Sequence, residues 1–441
     1  MSTDVYPEAP LEKAAGLAPT HIRYKVLALT VTAYMITYMD RVVISCAVPS
    51  IQKEFDFSIV TMGWILSSFQ WGYASFQIPS AWLGDRFGPR RTLTMIVILW
   101  SLFTSMVTLA WSATSMAAIQ FLFGTCESGS FPIATSSLSR WMLPAERGMA
   151  QGLTHAGSRL GGALTPVLVV LIIARWGWRA AFLSCASLGI LWACGWYWYY
   201  RNSPGEHRAV NEGERNLIKA ALEKDRGRRV GRASVPWRLI LRSRQMWTLS
   251  AMYFCYAYIL TVYLVWFPKY LNAHRGFNLK EMGFYSSLVL LAGTAGDITG
   301  GTLSDFLARR SGNLKTARQI VGCGGFLISA ICLVPACLLS DPYVSLAFSC
   351  AAIFGLELTV GVSWAITLDI GDHFAGSVSS VMNTCGNFGG AIGAAISGYL
   401  VVMSGWSAPF LVMAALSLIG AVLYLSINAA RPISPAAWSA P

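Results

Sequence analysis

The stretch "AWLGDRFGPRR" at residues 81–91 is repeated in outline at residues 301–310, which read "GTLSDFLARR". Each copy has a small residue, a leucine, a second small residue and an aspartate, followed by a basic cluster. Each copy also closes a long apolar segment, the second and the eighth along the chain. A motif that recurs in the same orientation in two halves predicts two bundles related by an axis along the membrane normal.

Composition supports a membrane protein. Of the 441 residues, 55% are hydrophobic and only 12% are charged, about half the charged fraction of ordinary soluble domains. Apolar segments long enough to cross a hydrocarbon layer of about 30 Å recur along the whole chain. We expect them at 24–51, 59–82, 92–112, 115–138, 149–174, 178–200, 246–271, 283–305, 318–339, 343–369, 378–402 and 407–428. The sequence therefore predicts an all-α membrane protein with twelve transmembrane helices in two six-helix bundles.

The distribution of basic residues predicts the orientation, because Lys and Arg in short loops stay on the cytoplasmic side. Most of the 33 Lys and Arg residues fall on that side if both termini are cytoplasmic, so the net charge of +12 requires no nucleic acid. The predicted units are a tail (1–22), a first bundle (23–200), a basic connector (201–245), a second bundle (246–428) and a second tail (429–441). We expect a solvated connector that touches anionic lipid, with regulation or partner binding as the alternative.

Four ionisable side chains fall inside apolar segments of the first bundle: Asp40, Arg41, Glu127 and Arg159. Each would cost about 2.5–3.5 kcal/mol at the bilayer centre, so we expect them to line a wet cavity. Successive helical residues point about 100° apart, and Asp40 and Arg41 therefore address different partners. We expect Arg41 to face an anion and Asp40 to exchange a proton beside a neighbouring helix. A structural ion pair that locks the first helix is the alternative.

Two more interpretations concern the fourth and fifth helices. Glu127, expected near the middle of the fourth helix, is a plausible proton carrier, or else a permanently protonated residue in an interhelical hydrogen bond. Arg159, amid glycines, is expected to bind an anion or to pair with Glu127 or Asp40. His155, one turn earlier, could tune either role or be structural.

The repeated motif is interpreted as a conformational latch. Small residues allow close approach of helices, and an aspartate at a helix end can face positive side chains or a helix N-terminus. The candidate residues are Gly84, Asp85, Arg86, Gly88, Arg90, Arg91, Gly301, Asp305 and Arg309. Basic residues that serve only to fix the topology are the alternative.

Five further motifs are distinctive: "YMDR" (38–41), "WGYASFQIPSAWLGDRFGPRR" (71–91), "GTCESGSFP" (124–132), "RWMLPAERG" (140–148) and "NTCGNFGG" (383–390). In these motifs the sequence resembles the Major Facilitator Superfamily and, within it, the anion:cation symporter family. This family includes bacterial carriers for galactonate, glucarate, hexuronates and tartrate, and vesicular glutamate and sialic acid carriers. The resemblance implies proton coupling at Glu127. Two positions depart from the family: Ala81 replaces the usual glycine, and Gln120 replaces an arginine that sugar-acid members usually have.

Polar and aromatic side chains complete the predicted site. Hydroxyl and amide groups suit a hydroxylated anion, and Asn383 and Asn387 match paired amides of the family. The selectivity candidates are Tyr38, Gln70, Tyr73, Gln120, His155, Trp364, Asn383 and Asn387. Each could instead serve helix packing. Asp297 and Glu357 are assigned only to the cavity or to an interhelical bond.

The sequence contains no GxxxxGK[ST] phosphate loop and no HExxH metal motif, and we expect no enzyme activity, cofactor or metal. The residues and the resemblance together predict a secondary transporter that imports a small organic anion, a sugar acid or related hydroxycarboxylate, with protons by rocker-switch alternating access. An anion:phosphate exchanger, an efflux carrier of the same fold and a substrate-sensing receptor are the alternatives. We expect a monomer in the lipid bilayer of a bacterial inner membrane.

Overall fold

The computed structural model describes residues 18–143, 146–228, 237–371, 375–431 and 433, and all regular secondary structure within them is helical. The first half contains α1 (Ile22–Phe55), α2 (Ile59–Phe87), α3 (Pro89–Met106), α4 (Ala113–Glu127), α5 (Ser130–Trp141), α6 (Arg147–Trp176) and α7 (Trp178–Tyr199). The connector contains α8 (Glu212–Arg228) and α9 (Trp237–Arg242). The second half contains α10 (Arg244–Val265), α11 (Phe267–Ala273), α12 (Leu279–Ser311), α13 (Leu314–Leu338), α14 (Pro342–Gly371), α15 (Ala375–Ser404) and α16 (Ser407–Ser426).

Nine helices within the described residues are long and apolar enough to cross a membrane. They are α1, α3 with the short helical turn that follows it, α6, α7, α10 and α13 to α16. Of the remaining predicted segments, α2 and α12 are long but more polar, and each packs against a helix of the opposite half. Small and polar side chains suit helices that face a second bundle instead of lipid.

The fourth predicted segment differs from expectation because it is not one continuous helix. Helix α4 ends at Glu127 and α5 begins at Ser130. Pro132 has no backbone N–H to donate to the carbonyl of Ser128, so the regular helical ladder is interrupted there. Glu127 consequently lies at the end of a helix and not near the middle of one.

Both described chain ends lie on the same face as the connector. Glu214 of α8 accepts hydrogen bonds from the Thr20 hydroxyl (2.6 Å) and from the backbone N–H of Arg23 (3.2 Å). At the other end of the connector, Gln245 donates to the carbonyl of Asn428 (2.6 Å). We call this side of the molecule the connector face and the opposite side the loop face.

The two halves meet through α2 with α15 and through α6 with α12. Near the loop face, the Trp64 indole donates to the Tyr399 hydroxyl (2.8 Å), and a methyl group on Gly283 would lie 2.8 Å from the carbonyl oxygen of Pro166. Helices from opposite halves are therefore in close contact at the loop face.

Helices α2 and α4 are in backbone contact. A methyl group on Gly72 would lie 2.1 Å from the carbonyl oxygen of Phe121, and one on Gly124 would lie 2.1 Å from that of Phe69. No side chain fits at either position without moving a helix. The reciprocal glycines therefore hold α2 and α4 together.

The first copy of the repeated motif contacts its own half. A methyl group on Gly84 would lie 2.5 Å from Ile133 of α5, so the close approach expected at this glycine is present. Arg90 donates from its backbone to Asn202 (3.0 Å) and from its guanidinium to the carbonyl of Tyr197. Helix α2 ends at Gly88, which has φ 79°. The guanidinium of Arg86 lies 5.6 Å from the ring centre of Phe87, and Arg91 is exposed. The Asp85 side chain lies outside the described part of the structure.

The second copy also contacts its own half. Asp305 accepts from Arg318 of α13 (2.8 Å), which also pairs with Asp369 of α14 (3.2 Å), while Arg309 is exposed. A methyl group on Gly301 would meet no atom within 4 Å, but the backbone there does approach α14, because a methyl group on Gly361 would lie 3.5 Å from the Cα of Gly301. The approach is tighter at the neighbouring Gly300, where a methyl group would lie 2.1 Å from the carbonyl oxygen of Leu358.

Candidate functional site

Arg41 and Glu127 form an ion pair inside the first half. The Nε of Arg41, on α1, donates to Oε1 of Glu127, at the end of α4. Glu127 is fully buried, and its second oxygen has no hydrogen-bond partner among the described residues. The ion pair that was the alternative interpretation of the first helix is thus present for Arg41.

Four aromatic rings surround the guanidinium of Arg41. Its central carbon lies 4.6 Å from the ring centre of Tyr73, 5.3 Å from those of Tyr38 and Phe69, and 5.5 Å from that of Phe131. We call these four residues the aromatic cage. A cation is attracted to the faces of such rings, more strongly where water is excluded. Nη2 of Arg41 has no hydrogen-bond partner within the described structure, so this donor is available to a ligand.

Asp40 points away from the pair, as expected from its position next to Arg41. Its side chain is 2% exposed, and neither carboxyl oxygen has a hydrogen-bond partner among the described residues. The indole of Trp100 on α3 and the thiol of Cys185 on α7 lie nearby. The carboxyl group is therefore available for exchange of a proton, not engaged in a salt bridge.

Arg159 of α6 pairs with acidic residues of the opposite half, and not with Glu127 or Asp40. Nη1 and Nη2 lie 3.0 and 2.7 Å from the two carboxylate oxygens of Glu357 on α14. Nε lies 3.7 Å from Asp297 of α12. The Tyr256 hydroxyl of α10 lies 3.2 Å from Arg159 and from both oxygens of Glu357. We call these four residues the inter-half cluster.

A small cavity lies beside the inter-half cluster and reaches Tyr38. It is lined by Tyr38, Arg159, Gly162, Leu264, Leu290, Gly293, Ile353 and Glu357. Tyr38 belongs to both regions, because its ring also faces Arg41 in the aromatic cage. A ligand in this cavity would therefore meet the inter-half cluster on one side and a wall of the cage on the other.

His155 and Trp364 lie where the halves meet. The ring centre of His155 is 6.1 Å from that of Tyr34 on α1 and 6.2 Å from that of Trp364 on α14. The Trp364 indole donates to the Tyr253 hydroxyl (3.1 Å). Both predicted residues thus connect the halves beside the inter-half cluster.

Four other selectivity candidates lie outside these two groups. Gln70 is beside Gly390 of α15, and Asn387 donates weakly to Gln77 (3.5 Å), so both belong to the α2–α15 contact. Asn383 is half-buried on α15, and Gln120 is buried on α4, two turns before Glu127.

The residue-by-residue interpretation missed most of the partners of the two arginines. Asp297, Glu357 and Tyr256 are 138, 198 and 97 positions from Arg159, and the only signal was the presence of acidic residues inside apolar segments of the second half. Within the described residues, no group of three or more His, Cys, Asp or Glu side chains could hold a metal ion.

Comparisons with known proteins agree with the fold. Residues 30–394 match the model of the Major Facilitator Superfamily. The chain is 36% identical over 407 residues to a probable sulfoacetate transporter of Cupriavidus necator, covering 92% of this chain and 94% of that protein. It is 30% identical to the hexuronate transporter of Bacillus subtilis (91% and 93% covered) and 28% identical to a probable galactarate/D-glucarate transporter of Escherichia coli (94% and 96% covered).

The fold has a counterpart among solved structures. A bacterial homologue of the human lysosomal transporter Spinster, in an inward-facing and occupied conformation, matches with a TM-score of 0.74 at 18% identity. The match covers 92% of this chain and 96% of that one. With the family model and the relatives, this shows that the chain is a multi-pass membrane transporter and not an enzyme, and that it belongs to the Major Facilitator Superfamily.

Proposed function

We propose that the protein imports a small organic anion, a sugar acid or related hydroxycarboxylate, together with protons. Twelve transmembrane helices would carry this out by rocker-switch alternating access in a bacterial inner membrane, with the connector face in the cytoplasm. The proposal is supported by relatives that are named as transporters of organic acids. In this orientation the close contact at the loop face corresponds to an inward-facing state.

The Arg41–Glu127 ion pair in the aromatic cage carries the proposal. An incoming carboxylate and Glu127 compete for the same guanidinium. A proton on Glu127 removes the competitor, so protonation strengthens binding of the anion. By linkage, the bound anion strengthens binding of the proton to the same extent. Coupling of this kind requires no direct contact between the substrate and Glu127.

Asp40 would carry a second proton. It is buried beside Arg41 but has no hydrogen-bond partner among the described residues, so its charge can change without breaking an ion pair. Arg159 would contribute a second positive charge to anion binding when it is released from Glu357. Tyr38 and Tyr73 offer hydroxyl groups beside the bound anion. The repeated motif would act as a latch in the outward-facing state.

The other selectivity candidates would act at the edges of the cavity. Gln120 can donate hydrogen bonds to an anion but cannot neutralise it, so the first half relies on Arg41 for charge. His155, Trp364, Gln70, Asn383 and Asn387 would shape the rest of the cavity as the halves move.

The test is proton movement in weakly buffered cells that express the protein. Sugar acids, hydroxydicarboxylates, sulfonated acids and aromatic acids are added one at a time, and external pH is recorded. We expect alkalinisation by a few related acids. A flux that requires internal phosphate and leaves external pH constant would favour the exchanger.

The variant Glu127→Gln separates coupling from binding. We expect it to lose accumulation driven by a pH gradient but to retain counterflow of the same acid, because the neutral amide imitates the protonated state. The matched control is Glu54→Gln, which removes an exposed partner of Arg179 and should behave as wild type. Gradient-driven accumulation by Glu127→Gln would contradict the proposed role.

A further inference from the structure

The inter-half cluster contains more negative than positive groups. Arg159 is the one guanidinium in it, and it faces two carboxyl groups, Glu357 at 2.7 Å and Asp297 at 3.7 Å. Glu357 is 1% exposed. Asp297 is 22% exposed, so its charge is partly solvated. The buried Glu357 depends on Arg159, because burying an uncompensated negative charge is costly. When Arg159 is withdrawn, a proton on Glu357 removes this negative charge without any other partner.

The surroundings of Glu357 hold no second guanidinium or ammonium group among the described contacts. The titratable groups that face it are Arg159 from α6, Asp297 from α12, and Tyr256 with Tyr253 from α10. His155, on α6, faces Asp297 and Arg159 from the other side. Arg159 is therefore the cation that stabilises the ionised form of Glu357.

The position of the cluster differs from that of the Arg41–Glu127 pair in one respect. Arg41 and Glu127 lie on α1 and α4, both in the first half. Arg159 lies on α6 of the first half, whereas Glu357, Asp297 and Tyr256 lie on α14, α12 and α10 of the second. Separation of the halves at the loop face pulls Arg159 away from Glu357 but leaves the other pair intact.

We propose that the inter-half cluster is a third proton-binding site, in which Glu357 takes up a proton, releases Arg159 and allows the halves to separate at the loop face. The proton comes from water at that face and converts the carboxylate into a neutral carboxyl group, while Arg159 keeps its charge. When the halves close again, the carboxyl group loses this proton to water and re-forms the ion pair. This inference rests on the proposed function and adds a proton site to Glu127 and Asp40.

Arg159 lines the same cavity as Tyr38. It would be free to bind the anion in the state open at the loop face and would be neutralised by Glu357 in the closed state. Anion affinity would therefore be high where substrate enters and low where it leaves.

The test measures the separation of the halves in purified protein without substrate. Spin labels are attached at Thr61→Cys on α2 and Met403→Cys on α15, at the loop face, in a chain whose native cysteines are replaced by alanine. Distances between the labels give the ratio of open to closed molecules at each pH. One coupled proton changes such a ratio by at most about tenfold per pH unit.

We expect the ratio of open to closed wild-type molecules to rise as pH falls. The slope of its logarithm against pH should approach the value for one coupled proton, about tenfold per pH unit. In Glu357→Gln, the number of coupled protons given by this slope should fall by about one. At a pH where wild-type molecules are closed at the loop face, Glu357→Gln molecules should be open. Glu357→Asp, which keeps a titratable group, should keep a slope with a shifted midpoint. Glu54→Gln, which breaks an ion pair inside one half, is the matched control and should keep the wild-type slope.

A wild-type ratio that does not change with pH would overturn the proposal, and so would a wild-type slope in Glu357→Gln. Failure of this test can be distinguished from failure of the uptake test. Glu127→Gln should keep the pH slope while it loses gradient-driven accumulation. Loss of the slope in Glu357→Gln without any alkalinisation by added acids would support the proton site at Glu357 and reject import with protons.

Discussion

The two buried arginines differ in the helices that hold their carboxylate partners. Arg41 and Glu127 belong to the same half and move together, whereas Arg159 and Glu357 belong to opposite halves. The first pair can be opened only by a ligand or a proton. The second can also be opened by movement of the halves. An Arg–Glu ion pair would therefore respond to binding of a ligand or a proton in the first position, and to movement of the halves in the second.

The largest expected effect is that of Arg41→Gln. This change leaves Glu127 buried without a cation and removes the anion ligand. Truncating one partner of a buried charge pair costs about 2–5 kcal/mol, so uptake of the acid identified above should fall about 30-fold or more. The double variant Arg41→Gln/Glu127→Gln should recover thermal stability but not uptake. Near-wild-type uptake by Arg41→Gln would remove Arg41 from the binding site.

A smaller effect is expected for Arg159→Gln, which tests the other side of the comparison. Coupling between sites is typically worth about 1–3 kcal/mol, so the ratio of open to closed molecules should rise about tenfold. Labelling of Thr61→Cys by a water-soluble thiol reagent measures this opening. Arg179→Gln, which breaks an ion pair within one half, is the control. Unchanged labelling in Arg159→Gln would show that the cluster does not hold the halves together.

The third prediction concerns the scaffold that brings Asp297 and Glu357 together. Gly300→Ala would force α12 away from α14, because its new methyl group would lie 2.1 Å from the carbonyl oxygen of Leu358. Overpacking of this kind costs about 1–3 kcal/mol, and the unfolding temperature in detergent should fall. Gly301→Ala is the matched control, since it meets no atom within 4 Å. Equal stability of the two variants would contradict the close approach.

The smallest effect is expected at Glu214, which forms an Arg–Glu pair outside the membrane. Burial alone would raise its pKa, but hydrogen bonds from Thr20 and from the backbone of Ile22 and Arg23 outweigh burial and hold the pKa below its usual value. A carboxyl group with a lowered pKa stabilises the fold above its unfolded pKa and loses this contribution as pH falls through the folded value.

Thermal unfolding of Glu214→Gln tests whether the pKa of Glu214 is lowered in the folded protein. The variant should be less stable than wild type at neutral pH, and the difference should shrink below about pH 4. Glu212→Gln, an exposed position on the same helix, should match wild type throughout. A difference that grows on acidification would show that the pKa is raised.

The ionisable residues and their helices could be predicted from the sequence, because a charge in an apolar segment must face a cavity or a partner. The partner of Arg159 could not be predicted, since it depends on how α6 packs against α12 and α14. The choice between Gly300 and Gly301 depends in the same way on the rotation of α12. Pro132 indicated that the helix is interrupted after Glu127. Because apolar residues continue on both sides of Pro132, the pattern predicted a single segment.

The reciprocal glycines of α2 and α4 determine how the aromatic cage can change shape. Tyr73 comes from α2 and Glu127 from α4, and the contact through Gly72 and Gly124 leaves no room for these helices to slide past each other. The side of the site that α2 and α4 form is therefore rigid, while the Arg41 side chain, which comes from α1, can move. On that side, room for an acid group depends on the reach of one side chain and not on the displacement of α2 against α4.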